Sequence, residues 1–256
     1  MSAVDPTSDR PVFRQIADWL RQQIVDGALP KGAKLPSESE LVQRFSTTRT
    51  TARQALGVLK GEGLIVSEHG RGAFVRQPPP VRRLAQDRFS RRQRKQGRAA
   101  FLPEAETSGF EADVEVLHVG SDKASAEIAA RLGLKQAARV LVRSRRYFAD
   151  GHPVEVATSY IPWSLAAGTA MTKENPGPGG IYARLEEAGH RLGRFTEEVA
   201  ARMPTPEEAR QLRVQGGVPV FVLVRTAFDT AGTAVEVCDT IMAADRFILD
   251  YELPAR

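Results

Sequence analysis

The sequence contains a single cysteine, Cys238, in 256 residues. One cysteine excludes a framework of intrachain disulfides and disfavours a cysteine-based zinc site. No apolar run approaches the roughly 18 residues that a membrane span requires. The polar stretch Met1 to Arg10 lacks the apolar core of a signal peptide. These absences predict a cytoplasmic protein without a membrane partner.

Signatures of catalysis are also missing from the sequence. The four histidines share no metal-binding spacing: His69, His118, His152 and His190. We find no nucleophile motif and no cofactor fingerprint. We therefore expect no catalytic residues, no bound metal and no cofactor, and the sequence disfavours an enzyme.

Positive charge is concentrated in the first hundred residues, although the net charge of the whole chain is only +5. From Pro11 to Arg76 ten basic residues accompany six acidic ones, and from Val81 to Arg98 eight accompany one. From Ala99 to Arg256 there are seventeen basic and twenty-two acidic residues, a net charge of −5. The length fits two domains of roughly 100–200 residues each. This asymmetry indicates a nucleic-acid-binding module joined to a second domain.

Two helices are predicted at the start of the first domain. Apolar residues recur at spacings of three and four from Val12 to Ile24, which predicts a helix that ends near Gly27. Ser37 and Glu40 fit a capping box, in which the serine caps the helix and the glutamate reaches back to the cap residue. A second helix therefore follows Ser37.

The stretch Ser46–Leu56 predicts the start of a third, amphipathic helix. Hydroxyl residues at its start can cap the helix. Apolar residues recur at helical spacing: Ala52, Ala55, Leu56 and Leu59. The opposite face carries groups that bond to phosphate oxygens and to base edges in a major groove: Arg49, Thr50, Arg53 and Gln54. Taken alone, this pattern also fits an ordinary solvated helix.

Two short apolar segments, Leu64–Glu68 and Ala73–Arg76, flank the glycine-rich tip His69–Gly72. They predict a β-hairpin, so the outline becomes a winged helix-turn-helix with its third helix in the major groove. We expect His69 and Arg71 to lie against the DNA backbone or the minor groove, although His69 also fits a simple turn residue. The glycines around Arg71 favour a function, because they let the backbone approach a partner closely.

Five short motifs follow one another in this domain: Phe13–Ile16, Leu35–Glu38, Arg49–Leu56, Glu62–Leu64 and Gly70–Gly72. With them, residues 11–76 resemble the GntR family of bacterial regulators. The resemblance implies eight DNA-contacting residues: Thr48, Arg49, Thr50, Thr51, Arg53, His69, Gly70 and Arg71. Most family members have valine at the position of Ala52, a difference that should affect packing more than DNA contact.

Residues 77–102 are predicted to form a proline-rich and basic linker. Pro78, Pro79 and Pro80 favour a stiff, extended spacer. The basic block from Arg82 to Arg98 fits either a solvated linker or additional phosphate contacts. It lacks the interleaved aromatic residues that a stacking surface for single strands requires.

The second domain, predicted over residues 103–254, contains an internal repeat. A helix and two strands recur in the same order, over 126–132, 140–145 and 154–160 and again over 205–212, 221–226 and 235–240. The residues matched between the two copies are Arg143 with Arg225, Gly151 with Gly232, Glu155 with Glu236, and Ser159 with Thr240. The repeat predicts a pseudo-symmetric α+β domain around an antiparallel sheet.

A small ligand is expected where the two copies meet, because concave surfaces with convergent polar groups occur at such junctions. Seven residues are candidates for effector binding: Arg143, Arg145, Ser159, Tyr160, Arg225, Glu236 and Tyr251. Arginine can hold a phosphate or a carboxylate in a bidentate fashion. Each of these arginines also fits a surface ion pair.

Further motifs run through the second domain: Arg143–Arg145, Asp150–Pro153, Ser159–Pro162, Glu197–Pro204 and Asp245–Tyr251. They resemble the UTRA effector-binding domain of the HutC subfamily. The resemblance implies a chorismate-lyase-like α/β fold with an antiparallel sheet and a small acidic effector, often a phosphosugar or an organic acid.

Together these features predict a ligand-responsive bacterial transcriptional regulator, most often a repressor. It would bind a palindromic double-stranded DNA operator as a homodimer and be released by its effector. One alternative is an enzyme, since the implied fold also occurs in a lyase. Another is a DNA-binding protein that responds to no effector, against which the paired arginines of the repeat argue.

Overall fold

The computed structural model describes residues 4–5, 8–68, 70–76, 81–84, 101–214 and 216–252. The chain divides into two compact units, Met1–Pro78 and Pro79–Arg256. Each unit has its own hydrophobic core. Among the residues within these ranges, no helix is long and apolar enough to cross a membrane.

The N-terminal unit has the predicted winged helix-turn-helix architecture. Its elements are α1 (Val12–Val25), α2 (Glu38–Phe45), α3 (Arg49–Gly61), β1 (Ile65–Glu68) and β2 (Gly72–Val75). The two strands pair antiparallel as the wing. The core contains Leu20, Leu41 and Leu59, all fully buried. Burying one such leucine stabilises the fold by about 1.5–3 kcal/mol, so these contacts hold the three helices together.

Side-chain caps set the boundaries of α2 and α3. Ser37 accepts a hydrogen bond from the Glu40 amide while the Glu40 carboxylate accepts one from the Ser37 amide, which confirms the predicted capping box. Ser46 ends α2 in the left-handed region at φ 48°. Thr48 then caps α3 by accepting from the Thr51 amide at 3.2 Å. The turn between the two helices is therefore encoded locally.

The C-terminal unit is built around a six-stranded antiparallel sheet in the order β4-β5-β6-β9-β8-β7. These strands are β4 (Ala112–Lys123), β5 (Arg139–Ala149), β6 (His152–Pro162), β7 (Leu192–Arg202), β8 (Val220–Asp229) and β9 (Ala234–Ala243). The helices are α4 (Phe101–Ser108), α5 (Ala126–Arg131), α6 (Trp163–Ala166), α7 (Gly180–Glu187) and α8 (Pro206–Gln211). This is the predicted α+β class with an antiparallel sheet.

The internal repeat is longer than the sequence indicated. The first copy runs α4–β4–α5–β5–β6 and the second runs α7–β7–α8–β8–β9. Each copy therefore begins with an additional helix and strand. The copies meet in the middle of the sheet, where β6 pairs antiparallel with β9.

One of the predicted correspondences between the copies is wrong. Opposite Glu155 lies Tyr147, and opposite Glu236 lies Ala227. Arg145 lies two residues before Tyr147, and Arg225 lies two residues before Ala227. Arg145 is therefore the counterpart of Arg225, and Arg143 is not. The turn of the second copy is one residue longer, since Phe228 pairs with Ala234 whereas Phe148 pairs with Pro153. Counting along the sequence could not locate that insertion.

Part of the predicted linker belongs to the second unit. Residues Val81–Leu84 form strand β3, which pairs in parallel with β10 (Phe247–Asp250). Strand alternation explains the difference, because Val81 and Arg83 turn inward while Arg82 stays exposed. Helix α4 also begins within the expected linker, at Phe101. The proline run and the rest of the basic block, residues 85–100, lie outside the described residues.

The two arginines of β3 form very different ion pairs. The Arg83 guanidinium, 2% exposed, makes a bidentate pair with Glu197 of β7, which is 13% exposed. The Arg82 guanidinium, 51% exposed, lies 2.8 Å from Asp250, which is 39% exposed. A buried charge that loses its partner is costly, whereas an exposed pair contributes little.

We predict that Glu197→Ala lowers the free energy of unfolding of the C-terminal unit by about 3–5 kcal/mol, because Arg83 stays buried without its carboxylate. The matched variant Asp250→Ala should cost about 0–1 kcal/mol. Urea unfolding followed by Trp163 fluorescence in a Trp19→Phe background would report on this unit alone. Equal losses in the two variants would contradict the assignment.

Candidate DNA-binding surface and effector site

Helix α3 presents one polar face to solvent. Ala52, Ala55 and Leu59 are fully buried, while Arg49, Thr50 and Arg53 are exposed. The amphipathic pattern predicted from the sequence is therefore confirmed. The hydroxyls of Thr48 and Thr51 lie 2.9 Å apart at the helix start. They belong to the cap, Arg49 extends from the same first turn, and Arg53 extends from the next turn.

A contact that the sequence did not reveal connects α2 and α3. The Nε and Nη2 atoms of Arg53 donate to the two carboxylate oxygens of Glu38, at 2.9 and 3.1 Å. Glu38 and Arg53 are fifteen residues apart and on different helices. No local spacing rule relates them, so only the packing of the helices could show the pair.

Three wing residues are predicted to contact DNA, and two of them, Gly70 and Arg71, lie within the described residues. Gly70 lies at the tip with φ +73°, and no atom would meet a Cβ there within 4 Å. Arg71 is largely exposed, pairs with Glu68 and lies over the Phe74 ring. His69 lies outside the described residues. An approaching phosphate would have to compete with Glu68 for Arg71.

In the C-terminal unit, a row of polar residues crosses one face of the sheet. Strand registers place Arg143 beside Ser159, Ser159 beside Cys238, and Cys238 beside Arg225. Glu197 continues the row on the edge strand β7. Apolar clusters lie on both sides of the row, one around Phe101 of α4 and one around α6 and α7. We call this polar row, with Arg145, Glu236 and Tyr182, the central polar cluster.

The structure brings together five of the seven predicted effector residues in this cluster: Arg143, Arg145, Ser159, Arg225 and Glu236. Tyr160 does not join them. It packs against the cluster of α5 on the opposite face, because it follows Ser159 directly along a strand. Tyr251 is exposed beyond β10, with its hydroxyl 3.5 Å from Glu197.

Arg143 is fully buried, and its donors are used by the protein itself. Its guanidinium donates to the backbone carbonyls of Met171, Lys173 and Glu174. Burial, together with the positive charge of Arg145, lowers the pKa of Arg143 to about 10. Arg143 therefore anchors the segment after α6 to the sheet and retains only its Nε unpaired.

Arg145 differs from Arg143 in having no hydrogen bond to any of the described residues, and its Nε is buried. Its guanidinium lies 5.8 Å from the centre of the Tyr147 ring. Nearby, Ser159 Oγ faces only the thiol of Cys238, a weak hydrogen-bonding group. Arg145 and Ser159 therefore offer a cation and a hydroxyl that the described fold does not occupy.

Arg225 belongs to a second, internally satisfied group. Its Nε donates to the Tyr182 hydroxyl at 3.1 Å, and that hydroxyl donates to Glu236. Burial raises the pKa of Tyr182 well above its usual value, which keeps the phenol protonated as a donor. Glu236 Oε1 is buried without a hydrogen bond in the described structure. Tyr182, on α7, was missed because nothing in the sequence relates it to strands β8 and β9.

The cluster thus combines a cation at Arg145 with an open acceptor at Glu236. Such a pair can bind a ligand that has an anionic end and a hydroxyl or amino donor elsewhere. In the part of the chain that the structure describes, no three histidine, cysteine or acidic side chains are grouped to hold a metal.

These two sites define the class of the protein: a winged helix-turn-helix DNA-binding unit joined to an α+β domain with a buried polar cluster. Comparison with family models identifies both parts. Residues 13–75 match the bacterial regulatory proteins of the gntR family, and residues 107–248 match the UTRA domain.

Individual relatives agree along nearly the whole chain. It is 33% identical over 248 residues to the HTH-type transcriptional regulator SCO4628 of Streptomyces coelicolor, covering 94% of this chain and 92% of that protein. It is 29% identical over 245 residues to the HTH-type transcriptional repressor NagR of Bacillus subtilis, covering 95% of each. A crystal structure of a GntR-family transcriptional regulator superposes with a TM-score of 0.64 and 30% identity, covering 97% of this chain and 99% of that one. The chain belongs to the GntR family of bacterial transcriptional regulators and carries a UTRA domain, as its motifs predicted.

The different surroundings of Arg143 and Arg145 lead to a stability prediction. Arg143→Met should lower the free energy of unfolding by about 3 kcal/mol or more, because one buried and two partly buried carbonyls lose a charged donor, and hydrogen bonds to charged groups contribute about 1.5–3 kcal/mol each. Arg145→Met should change it by less than about 1 kcal/mol, since no hydrogen bond is lost. The Trp163 fluorescence assay in urea would measure both, and a larger loss for Arg145→Met would contradict this division of roles.

Proposed function

We propose that this protein is a repressor that binds a palindromic DNA operator as a homodimer and leaves it when a small anionic ligand occupies the central polar cluster. The observation that carries the proposal is the cluster itself. It contains an arginine, Arg145, that makes no hydrogen bond within the described fold, and an open acceptor, Glu236 Oε1. Arg145 is half-buried and its guanidinium donors are unused, so it is suited to a bidentate contact with a phosphate or a carboxylate.

DNA binding is assigned to the exposed face of α3 and to the wing. Arg49 and Arg53 are four residues apart, so both leave the same face of the helix and can enter one major groove. Thr48, Thr50 and Thr51 lie at the helix start, where hydroxyls and backbone amides suit phosphate oxygens. Gly70 and Arg71 would contact the backbone or minor groove, as would His69.

We predict that Arg49→Ala weakens operator binding by about 1–3 kcal/mol and relaxes sequence preference at one position, because a base-reading bidentate contact is lost. Fluorescence anisotropy with a selected operator duplex would measure the change. Arg210→Ala removes the same charge from an exposed site on α8 in the other unit and serves as the control. Wild-type affinity in Arg49→Ala would refute the assignment.

The effector is expected to be a small acid, of the phosphosugar or organic-acid class. Arg145 would pair with its phosphate or carboxylate, Ser159 would bond to the same group, and Glu236 would accept from a hydroxyl. Arg143 and Arg225 would contribute to effector binding mainly through their positive charges and by holding the surrounding segments in place. NagR, a relative that is itself named a repressor, supports the repressor role.

Release from DNA requires a link between the cluster and the DNA-binding unit. Glu197 stands next to Arg225 in the polar row and also pairs with Arg83 of β3. In sequence, β3 begins five residues after Arg76, where the wing ends. An anion in the cluster that perturbs Glu197 would therefore act on β3, the first strand after the DNA-binding unit in the sequence. In a dimer, the two recognition helices must lie about 34–36 Å apart to fit successive major grooves. A modest change in this spacing is therefore sufficient to weaken binding to the operator.

We predict that Arg145→Ala binds the operator with wild-type affinity but is no longer released by the effector. A thermal-shift panel of phosphosugars and acidic metabolites would first identify the effector, since a ligand at one hundred times its dissociation constant adds about 2.7 kcal/mol. Anisotropy titrations would then compare Arg145→Ala with Arg146→Ala. Arg146 is the neighbouring arginine, paired with Glu115 rather than placed in the cluster.

Release of Arg145→Ala at the wild-type effector concentration would move the site elsewhere in the cluster, first to Arg225 and Glu236. A panel without any stabilising acid would favour the alternative of a DNA-binding protein that responds to no effector. Turnover of a panel compound would favour the lyase-like alternative.

A further inference from the structure

The ion pair between Glu38 and Arg53 joins the first turn of α2 to the recognition helix α3. Glu38 directly follows the cap residue Ser37, so its backbone is fixed by the capping box. Its carboxylate accepts from Nε and Nη2 of Arg53 at 2.9 and 3.1 Å. The Arg53 guanidinium beside it, with a smaller effect from the charge of Arg49, holds the pKa of Glu38 below its usual value. The carboxylate is therefore charged at neutral pH.

This pair does little to hold the two helices together. The Arg53 side chain is 73% exposed and the Glu38 side chain 33% exposed, and exposed ion pairs stabilise folds only weakly. The helices are already packed through Leu41 and Ala52, both fully buried. What distinguishes this pair from other exposed ion pairs is its position, because Arg53 lies on the exposed face of the recognition helix.

The geometry of the guanidinium indicates that role. Its five donors lie in one plane, and Glu38 uses the edge formed by Nε and Nη2. The edge formed by Nη1 and the second hydrogen of Nη2 remains available. That edge matches the O6 and N7 acceptors of guanine in the major groove. A carboxylate that fixes one edge thereby sets the plane and direction of the other.

We propose that Glu38 is a positioning residue for base recognition, which holds Arg53 so that its free edge reads one guanine. The proposal rests on the proposed DNA-binding function of α3. It also assigns a second effect to Glu38: its negative charge near the groove repels phosphates, so it lowers affinity for DNA of any sequence while raising discrimination at one base pair.

The test uses the full-length protein and a library of randomised DNA duplexes. Selection with the wild type gives its preferred duplex, and selection with Arg53→Ala identifies the base pair that Arg53 reads. Binding to duplexes substituted at each position is then measured for Glu38→Ala, Glu38→Gln and Glu38→Asp. Discrimination at the Arg53 base pair should fall at least fivefold in Glu38→Ala, while other positions keep their wild-type preference. Affinity for random-sequence duplex should stay equal or increase.

The three substitutions separate positioning from charge. Aspartate keeps the charge but is one methylene too short for the bidentate contact, so Glu38→Asp should relax discrimination as alanine does. Glutamine keeps one acceptor and should fall between alanine and the wild type. In an Arg53→Ala background, Glu38→Ala should have no further effect on base preference. Glu62→Gln is the control, because Glu62 makes a similar exposed bidentate pair with Arg21 and touches no proposed DNA-contacting residue.

Several outcomes would overturn the proposal. Wild-type discrimination in Glu38→Ala would show that Arg53 needs no positioning. Wild-type behaviour of Glu38→Asp would assign the effect to charge alone, and a loss that persists without Arg53 would assign it to another residue. A wild-type protein that enriches no sequence from the library would overturn the DNA-reading function of α3 together with this proposal.

Discussion

The antiparallel pairing of β6 with β9 is the contact on which the C-terminal unit depends. Within each copy of the repeat the strands pair only with their own neighbours, so this one strand pair joins the two halves of the described sheet. Its register sets Ser159 beside Cys238 and thereby aligns Arg143 of one copy with Arg225 of the other in one row. A slip of one residue would turn every side chain of a half to the other face. The polar cluster exists only because this register is fixed.

Charged groups on the inner face of a sheet require hydrogen-bond or ion-pair partners, and the fold supplies these partners unevenly. Arg143 is satisfied by three carbonyls, Arg225 by Tyr182 and the nearby Glu236, and Glu197 by Arg83. Arg145 is left with the field of its neighbours and no hydrogen bond within the described residues. In a low-dielectric environment this unevenness concentrates the tendency to bind an anion at one position.

In both units a glutamate fixes the position of an arginine close to the proposed site. In the N-terminal unit the capping box fixes Glu38, and Glu38 in turn holds one edge of Arg53. In the C-terminal unit Glu197 holds Arg83 and so connects the polar row to β3, the strand that follows the proline run in sequence. Preorganised side chains lose less entropy when a partner binds, so rigid support close to each site favours selective recognition.

The sequence alone determined the features that depend on neighbouring residues. The capping box at Ser37, the exposed face of α3 and the hairpin of the wing follow from spacing and turn chemistry, and the structure has them where they were expected. One helix and two strands of each copy of the repeat were also recognised, because their hydrophobic patterns are local, whereas the first helix and strand of each copy were not. The assignment to the GntR family followed from short motifs in the same stretches.

Tertiary structure decided what depends on residues that are distant in sequence. The match of Arg145 with Arg225 required the strand registers, since one additional residue in a turn shifts the count. The exclusion of Tyr160 from the cluster depended on which face of β6 is covered by α6 and α7. Strand β3 formed only by pairing with β10, at the other end of the chain. Tyr182 and Glu38 could not be found from the sequence for the same physical reason. Hydrogen bonds between elements depend on packing in space, and no periodicity along the chain records which side chains that packing brings together.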